Sequence, residues 1–335
     1  MIVSRTPFRV SLFGGGTDYP TWSRRYGGAV LGMAIDKYCQ ISLRRLPPFF
    51  EHRHRIVHSA IENVNAIEEI HHPAVRGILA DFGLKEGVEL HHEGDLPART
   101  GLGSSSAFTV GVLKALHALN GQMISKRRLA EAAIRIEHQV LQENVGCQDQ
   151  IWAAYGGLNR IDFTREGGFS VLPLVISPDR RRELTGNLLL VFTGISRIAS
   201  EVAKDQIARQ DQNEAQLTAM RRMVDVGEAI LTSSRESIAT LGDLLHESWM
   251  LKRTVLSRVS TERIDEIYET ARAAGARGGK LLGAGGGGFM LFLVEPSRRK
   301  AVKDALRGLI QVKFDIDTHG SHIAVYEPDV VIDND

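Results

Sequence analysis

The segment Pro97-Ala98-Arg99-Thr100-Gly101-Leu102-Gly103-Ser104-Ser105-Ser106-Ala107 carries the most chemistry for its length. Glycines pass directly into small residues and then into an apolar run that predicts a helix over 104–119, stopped by Asn120-Gly121. The first helical turn leaves N–H groups unpaired and partly positive, so such a loop suits a polyphosphate. One serine would serve as an N-cap. Three after Gly-Leu-Gly exceed that need, and their hydroxyls are candidate Mg²⁺ ligands. A second segment, Lys280-Leu281-Leu282-Gly283-Ala284-Gly285-Gly286-Gly287-Gly288, satisfies G-x-G-x-x-G. The dinucleotide reading fails, because that fingerprint opens a helix and here the run Phe289 to Val294 predicts a strand. The P-loop reading fails as well, since Lys280 is followed by Leu281 and position 274 is Ala. What remains is a backbone brought close to a ligand, or a turn needing positive φ. A third knot, Gly14-Gly15-Gly16, can form an N–H nest for an anion. Seven of the twelve histidines fall between His52 and His92, but without H-E-x-x-H or a cysteine at ligand spacing, surface or strand-pairing roles outweigh a metal.

These segments need elements to hold them. Residues 2–13 predict a strand ending in the glycine knot. A strand is expected at Tyr38 to Leu43, a helix from Pro73 to near Gly83, and a strand over Val88 to His92. A helix over about 125–143 starts at Ser125, with an apolar stripe at Leu129, Ala133, Ile136 and Val140 and Glu137 beside it. A short helix follows at about 148–155. The second half reads as a buried strand at Leu188 to Phe192, helices within 198–235, at 238–253 and at 261–274, and the glycine loop. It ends with the strand Phe289 to Val294, a helix from Pro296 to about Leu309, and a last strand near Ile323 to Tyr326. Composition shifts around 165–187, the expected boundary between two domains, 1–185 and 186–335.

Composition narrows the classes. The chain has 335 residues and a net charge of +1, so it lacks the basic excess of a nucleic-acid binder. Ordinary apolar content, 43%, argues against disorder. Cys39 and Cys147 form no disulfide framework, as expected for a reducing cytoplasm. The longest apolar runs are too short for a bilayer, and no membrane partner is expected.

A further segment, Pro7-Phe8-Arg9-Val10-Ser11-Leu12-Phe13-Gly14-Gly15-Gly16-Thr17-Asp18-Tyr19, follows the galactokinase signature without a gap. With this segment, the Pro97 to Ala107 loop and the Lys280 to Gly288 run in order, the chain resembles the GHMP kinases across its whole length. Within them it is most similar to the bacterial kinases of D-glycero-D-manno-heptose 7-phosphate, which share Gly-Gly-Gly-Thr-Asp. The resemblance implies an α+β GHMP kinase fold. An N-terminal domain like the second domain of ribosomal protein S5 would join a C-terminal ferredoxin-like domain, with the active site in the cleft between. It implies ATP on Pro97, Gly101, Leu102, Gly103, Ser104, Ser105 and Ser106, with Mg²⁺ held by Ser105 and Glu137. Asp149, twelve residues beyond Glu137, would contact the reacting hydroxyl, and the fixed charge of Arg9 would steady the transition state. Thr17 and Asp18 would face sugar hydroxyls, and Gly285 and Gly286 would line the substrate side.

The departure lies at Gly15-Gly16, where galactokinases carry Glu-His. Losing a carboxylate and an imidazole makes room and removes negative charge. With Gly14 this points to a larger, anionic sugar, and Arg197, Lys252 and Arg253 are the candidate cations for its phosphate. The expected activity is phosphorylation of heptose 7-phosphate at C1, feeding nucleotide-activated heptose and surface polysaccharide. Kinases of galactose, fucose or N-acetylhexosamine, a non-catalytic sugar-phosphate sensor, and a nucleotide-binding oxidoreductase are the alternatives. The oligomeric state stays open, a homo-oligomer included.

Overall fold

The computed structural model describes residues 1–195, 210–255 and 259–328. Its larger sheet has eight strands. Strand β1 (Ile2–Phe13) pairs antiparallel with β2 (Gly28–Arg45) from Ile2↔Leu43 to Phe13↔Leu31. The long β2 then pairs along one half with β5 (Val88–Gly94) and along the other with β6 (Leu158–Phe163). β3 (His54–Val57) joins β5 in parallel and carries β4 (Ile61–Val64), while β7 (Phe169–Pro173) closes a hairpin on β6. Strand β2 is three times the expected length. Its first half, Gly28 to Ile35, is wholly buried and carries no alternation of apolar and polar residues to betray a strand.

The helix Ser104–Leu119 lies on β1 and β2, and twelve of its sixteen residues are buried. A Cβ at Gly111 would sit 3.1 Å from Thr6 and 3.2 Å from Ile41, and the Ser4 hydroxyl donates to the Gly111 carbonyl at 2.8 Å. Helix and sheet therefore approach closely, which steadies the helix start. Ser125 caps the next helix as expected, its Oγ accepting from Arg128 N–H. That helix, Lys126–Arg135, does not continue to 143. It widens into a π-turn at Ile136–Val140 that carries Glu137. The helix Gln148–Tyr155 follows.

The second sheet has four antiparallel strands, β8 (Leu188–Phe192), β9 (Gly278–Leu281), β10 (Phe289–Leu293) and β11 (Gln311–Val312), in the order β11-β8-β10-β9. Numbered within this unit the order is 4-1-3-2, the ferredoxin-like arrangement. Leu188, Leu190, Phe289, Leu291 and Leu293 face the core shared with the first sheet. Leu189, Val191, Met290 and Phe292 face a second core around Trp249 and Tyr268. Burial on both faces explains the unbroken apolar runs. The segment 165–187, which reads as a boundary, holds the β6–β7 turn, β7 and the helix Pro178–Asn187. The last strand, β12 (His322–Tyr326), returns to the first sheet and pairs with β1. Among the described residues no helix is long and apolar enough to cross a membrane.

Candidate active site

The helix Ser104–Leu119 starts at Gly103, and no side chain caps its first N–H groups. Gly101 and Gly103 hold φ values of 80° and 74°, which glycine adopts without the Cβ penalty. The turn they form leaves the helix start facing a cleft of about 790 Å³. Gly101, Gly103, Ser104, Ser105 and Ser106 line that cleft; Leu102 is buried beneath it, and the Pro97 carbonyl accepts from the Thr100 hydroxyl at 2.7 Å.

The second glycine loop backs the first. A Cβ on Gly101 would lie 2.5 Å from the Leu282 carbonyl oxygen, and one on Gly283 2.5 Å from the Gly101 Cα. Phe289 N–H donates to the Thr100 carbonyl at 3.1 Å. Gly283 and Ala284 reach the cleft. Gly285 and Gly286, expected on the substrate side, instead pack against Val259, where the Gly286 N–H donates to the Val259 carbonyl at 2.9 Å.

Arg9 and Asp149, 140 positions apart, meet face to face. Arg9 Nε and Nη2 each donate to one Asp149 oxygen at 2.7 Å, and Nη1 donates to the Gly101 carbonyl at 2.6 Å. A bidentate guanidinium of this kind fixes a carboxylate in plane, and here ties it to the backbone of the Pro97 to Ala107 loop. Asp149 sits in the first turn of the helix Gln148–Tyr155, at the cleft wall.

Asp18 is buried beside it. Burial first, then the neighbouring Asp149 charge, raise its pKa. Gly16 N–H donates to Asp18 Oδ1 at 3.0 Å and Gln148 N–H to Oδ2 at 3.3 Å. The expected glycine nest is thus partly filled from within: the Gly16 N–H holds this chain's own carboxylate, and the Thr17 N–H bonds to the Gly14 carbonyl. Gly14 is packed against Ala29, where a Cβ would come within 2.0 Å of the carbonyl oxygen. Thr17 turns inward to the Gly14 and Ala29 carbonyls. Between Gly14 and Asp18, the residues that face the cleft are Gly15, Gly16 and Asp18.

Two buried lysines complete this side. Lys252 Nζ donates to the Gly283 carbonyl at 2.5 Å, and Lys280 Nζ to the Leu12 carbonyl at 2.7 Å. Burial, and then Arg9, push the Lys252 ammonium down to about 7, and burial drives Lys280 well below its usual range. Arg253 is not a partner in this group. Successive helical residues point about 100° apart, and Arg253 turns to Asp265 at 3.0 Å. Arg197 lies outside the described residues.

Glu137 is fully buried, and burial, then Glu143, push its carboxyl up to about 8. Oε2 accepts from Ser106 Oγ at 2.9 Å and Gln150 Nε2 at 2.6 Å, while Oε1 has no partner. The hydroxyl that meets Glu137 is Ser106, one residue beyond the expected Ser105, because helical rotation leaves Ser105 exposed. An orphaned carboxylate oxygen beside a hydroxyl is a fitting donor set for a hard cation such as Mg²⁺, which binds through one or two carboxylates and substrate phosphates. Among the described residues no three His, Cys, Asp or Glu side chains gather as a protein-only cage.

Several cleft residues had no role in the sequence reading. Ser11 and Gln148 lie on the floor, and His58, His72 and His92 form a wall with Phe108, whose ring centroid is 5.1 Å from that of His72 and 4.9 Å from that of His92. The histidine cluster was visible as composition, but it takes the pairing of β5 with β3, and the start of the helix Pro73–Phe82 tied to β4 through the His72 N–H and Glu62, to bring three of its members to one place.

The model of the N-terminal domain of GHMP kinases matches residues 65–157, and the model of their C-terminal domain matches residues 228–309. The chain is similar to a D-glycero-alpha-D-manno-heptose 7-phosphate kinase of Campylobacter jejuni subsp. jejuni, 31% identical over 91% of this chain and 93% of that one. It is similar to a galactokinase of Pyrococcus furiosus, 26% identical over 93% and 94%. The crystal structure of a D-glycero-D-manno-heptose 1-phosphate kinase of Bacteroides thetaiotaomicron superposes with a TM-score of 0.80 over 98% of this chain and 100% of that one, at 24% identity, a likeness of fold.

Proposed function

The chain belongs to the GHMP kinases, ATP-dependent phosphotransferases, and from that we propose that it phosphorylates D-glycero-D-manno-heptose 7-phosphate at the anomeric C1 hydroxyl to give the 1,7-bisphosphate. The observation that carries this reading is the bare floor at Gly15 and Gly16, beside Asp18 and Asp149 and facing Lys252 and Lys280 in one cleft. A cleft so arranged has space for a sugar larger than a hexose and cations for an anionic one. The name of the Campylobacter relative supports the same acceptor.

The reaction follows from the arrangement. The triphosphate lies against the uncapped start of the Ser104–Leu119 helix, and the base lies along the His72, Phe108 and His92 wall. The acceptor hydroxyl stands at Asp149, which Arg9 holds in a single orientation. The hydroxyl oxygen bonds to the γ-phosphorus as the bridge to ADP breaks, and the hydroxyl proton passes to the Asp149 carboxylate. Glu137 and Ser106 would hold Mg²⁺, which when bound neutralises phosphate oxygens.

The test is a substrate panel of ATP with heptose 7-phosphate, free mannoheptose, galactose, fucose and N-acetylhexosamines, the product position being read by NMR. Faster turnover of an unphosphorylated sugar would reverse the assignment.

Lys252 adds a pH signature. Burial, and then Arg9, hold its ammonium down to about 7, and a bound phosphate favours the charged form. Ligand binding therefore takes up a proton above pH 7. Heptose 7-phosphate affinity should weaken by up to about tenfold per pH unit as pH rises through 7, and Lys252→Met should flatten that slope. Calorimetry in buffers of different ionisation enthalpy reads the proton directly.

A further inference from the structure

Ser11, on β1, and Gln148, at the start of the Gln148–Tyr155 helix, meet on the cleft floor. The Ser11 hydroxyl donates to Gln148 Oε1 at 2.8 Å. With its oxygen taken, the amide offers its NH₂ end, which only donates. A Cβ built on Gly15 would lie 3.9 Å from that Nε2, so the amide borders the space the glycine leaves open. The Gln148 backbone N–H donates to Asp18 Oδ2 at 3.3 Å and both residues line the cleft, so this residue and the carboxylate stand side by side. One group that donates and one that accepts, next to Asp149, match two neighbouring hydroxyls: one accepts from the amide and the other donates to the carboxylate.

We propose that Gln148, oriented by Ser11, is a specificity-determining residue that donates to a sugar hydroxyl neighbouring the one phosphorylated, while Asp18 accepts from its partner in the same diol. The proposal rests on the sugar-kinase reading above. It restricts the acceptor to sugars with a vicinal diol beside the reacting hydroxyl, and it gives Gly15 a purpose: an added Cβ would already touch the amide at 3.9 Å, and a longer side chain would take up the space left for the sugar.

The probes are D-glycero-D-manno-heptose 7-phosphate and its 2-deoxy and 3-deoxy forms. Gln148→Glu keeps an acceptor for Ser11 but cannot donate when ionised, and Gln148→Met keeps the shape without polar atoms. Each should raise the sugar KM by about tenfold or more and leave the ATP KM within about twofold. The decisive readout is the deoxy penalty. Wild type should lose at least about tenfold in kcat/KM on one deoxy sugar, and the variants should treat that sugar and its parent alike. Ser11→Ala, which frees the amide to flip, should lose part of the same penalty. A merely structural Gln148 would lower activity on all three sugars in proportion. An unchanged deoxy penalty in the Gln148 variants, or an unchanged sugar KM, overturns the proposal. Failure of wild type to phosphorylate the parent sugar would overturn the acceptor assignment first, and this proposal with it.

Discussion

Asp149→Asn is expected to lower kcat by about 10²–10⁴-fold while ATP affinity stays near normal. Both Asp149 oxygens are engaged by Arg9, and the carboxylate faces the cleft beside Gly101 and Gly103. Asparagine keeps the shape and one acceptor for the guanidinium, but its amide cannot take the hydroxyl proton. The substitution also reaches the fold. Arg9 is 5% exposed, and removing the partner of a buried charge costs about 3–5 kcal/mol when nothing replaces it. Asn should lose less of this than Ala, because it still accepts one bond. Steady-state kinetics, ATP titration and thermal unfolding on Asp149→Asn and Asp149→Ala separate the two effects. A loss of kcat shared by both variants, with Tm falling further in Ala, assigns the chemistry to the carboxylate. Near-normal turnover in Asn would show that the reacting hydroxyl loses its proton elsewhere.

Gly101→Ala should raise the ATP KM by about tenfold or more and lower stability by about 2–5 kcal/mol. The added Cβ would sit 2.5 Å from the Leu282 carbonyl oxygen, a backbone atom with no rotamer to yield. At φ 80° a Cβ costs about 1–2 kcal/mol by itself. The remainder comes from separating the two glycine loops, which the Thr100 to Phe289 hydrogen bond otherwise holds together. Gly121→Ala is the control. Its φ is 66° and nothing lies within 4 Å of the added atom, so it isolates the left-handed cost. ATP affinity and Tm measured on both variants decide the matter. Equal losses at the two sites would mean that the contact between loops contributes nothing.

Local chemistry made much of this protein readable from the chain alone. The helix Ser104–Leu119 and the helix Gln148–Tyr155 lie where glycine breaks and apolar runs place them. The alternation hidden inside β8 and β10 was invisible, because both faces are buried and every residue is apolar. β2 was underestimated for the same reason. The short β3 and β4 left no periodic pattern to detect.

The three motifs, read in order, were enough to determine the family, because each depends on residue type and close spacing. Direction and distant partnership were decided by the tertiary structure. It turned Ser106 rather than Ser105 to Glu137, and sent Lys252 into the cleft but Arg253 to Asp265. It gave the Gly16 N–H to Asp18, set Gly285 and Gly286 against Val259, and brought Ser11 to Gln148. Neighbours on a helix diverge by about 100° per residue. Whether a side chain meets solvent, ligand or a partner more than a hundred positions away depends on how the sheets pack, and spacing along the chain does not encode that.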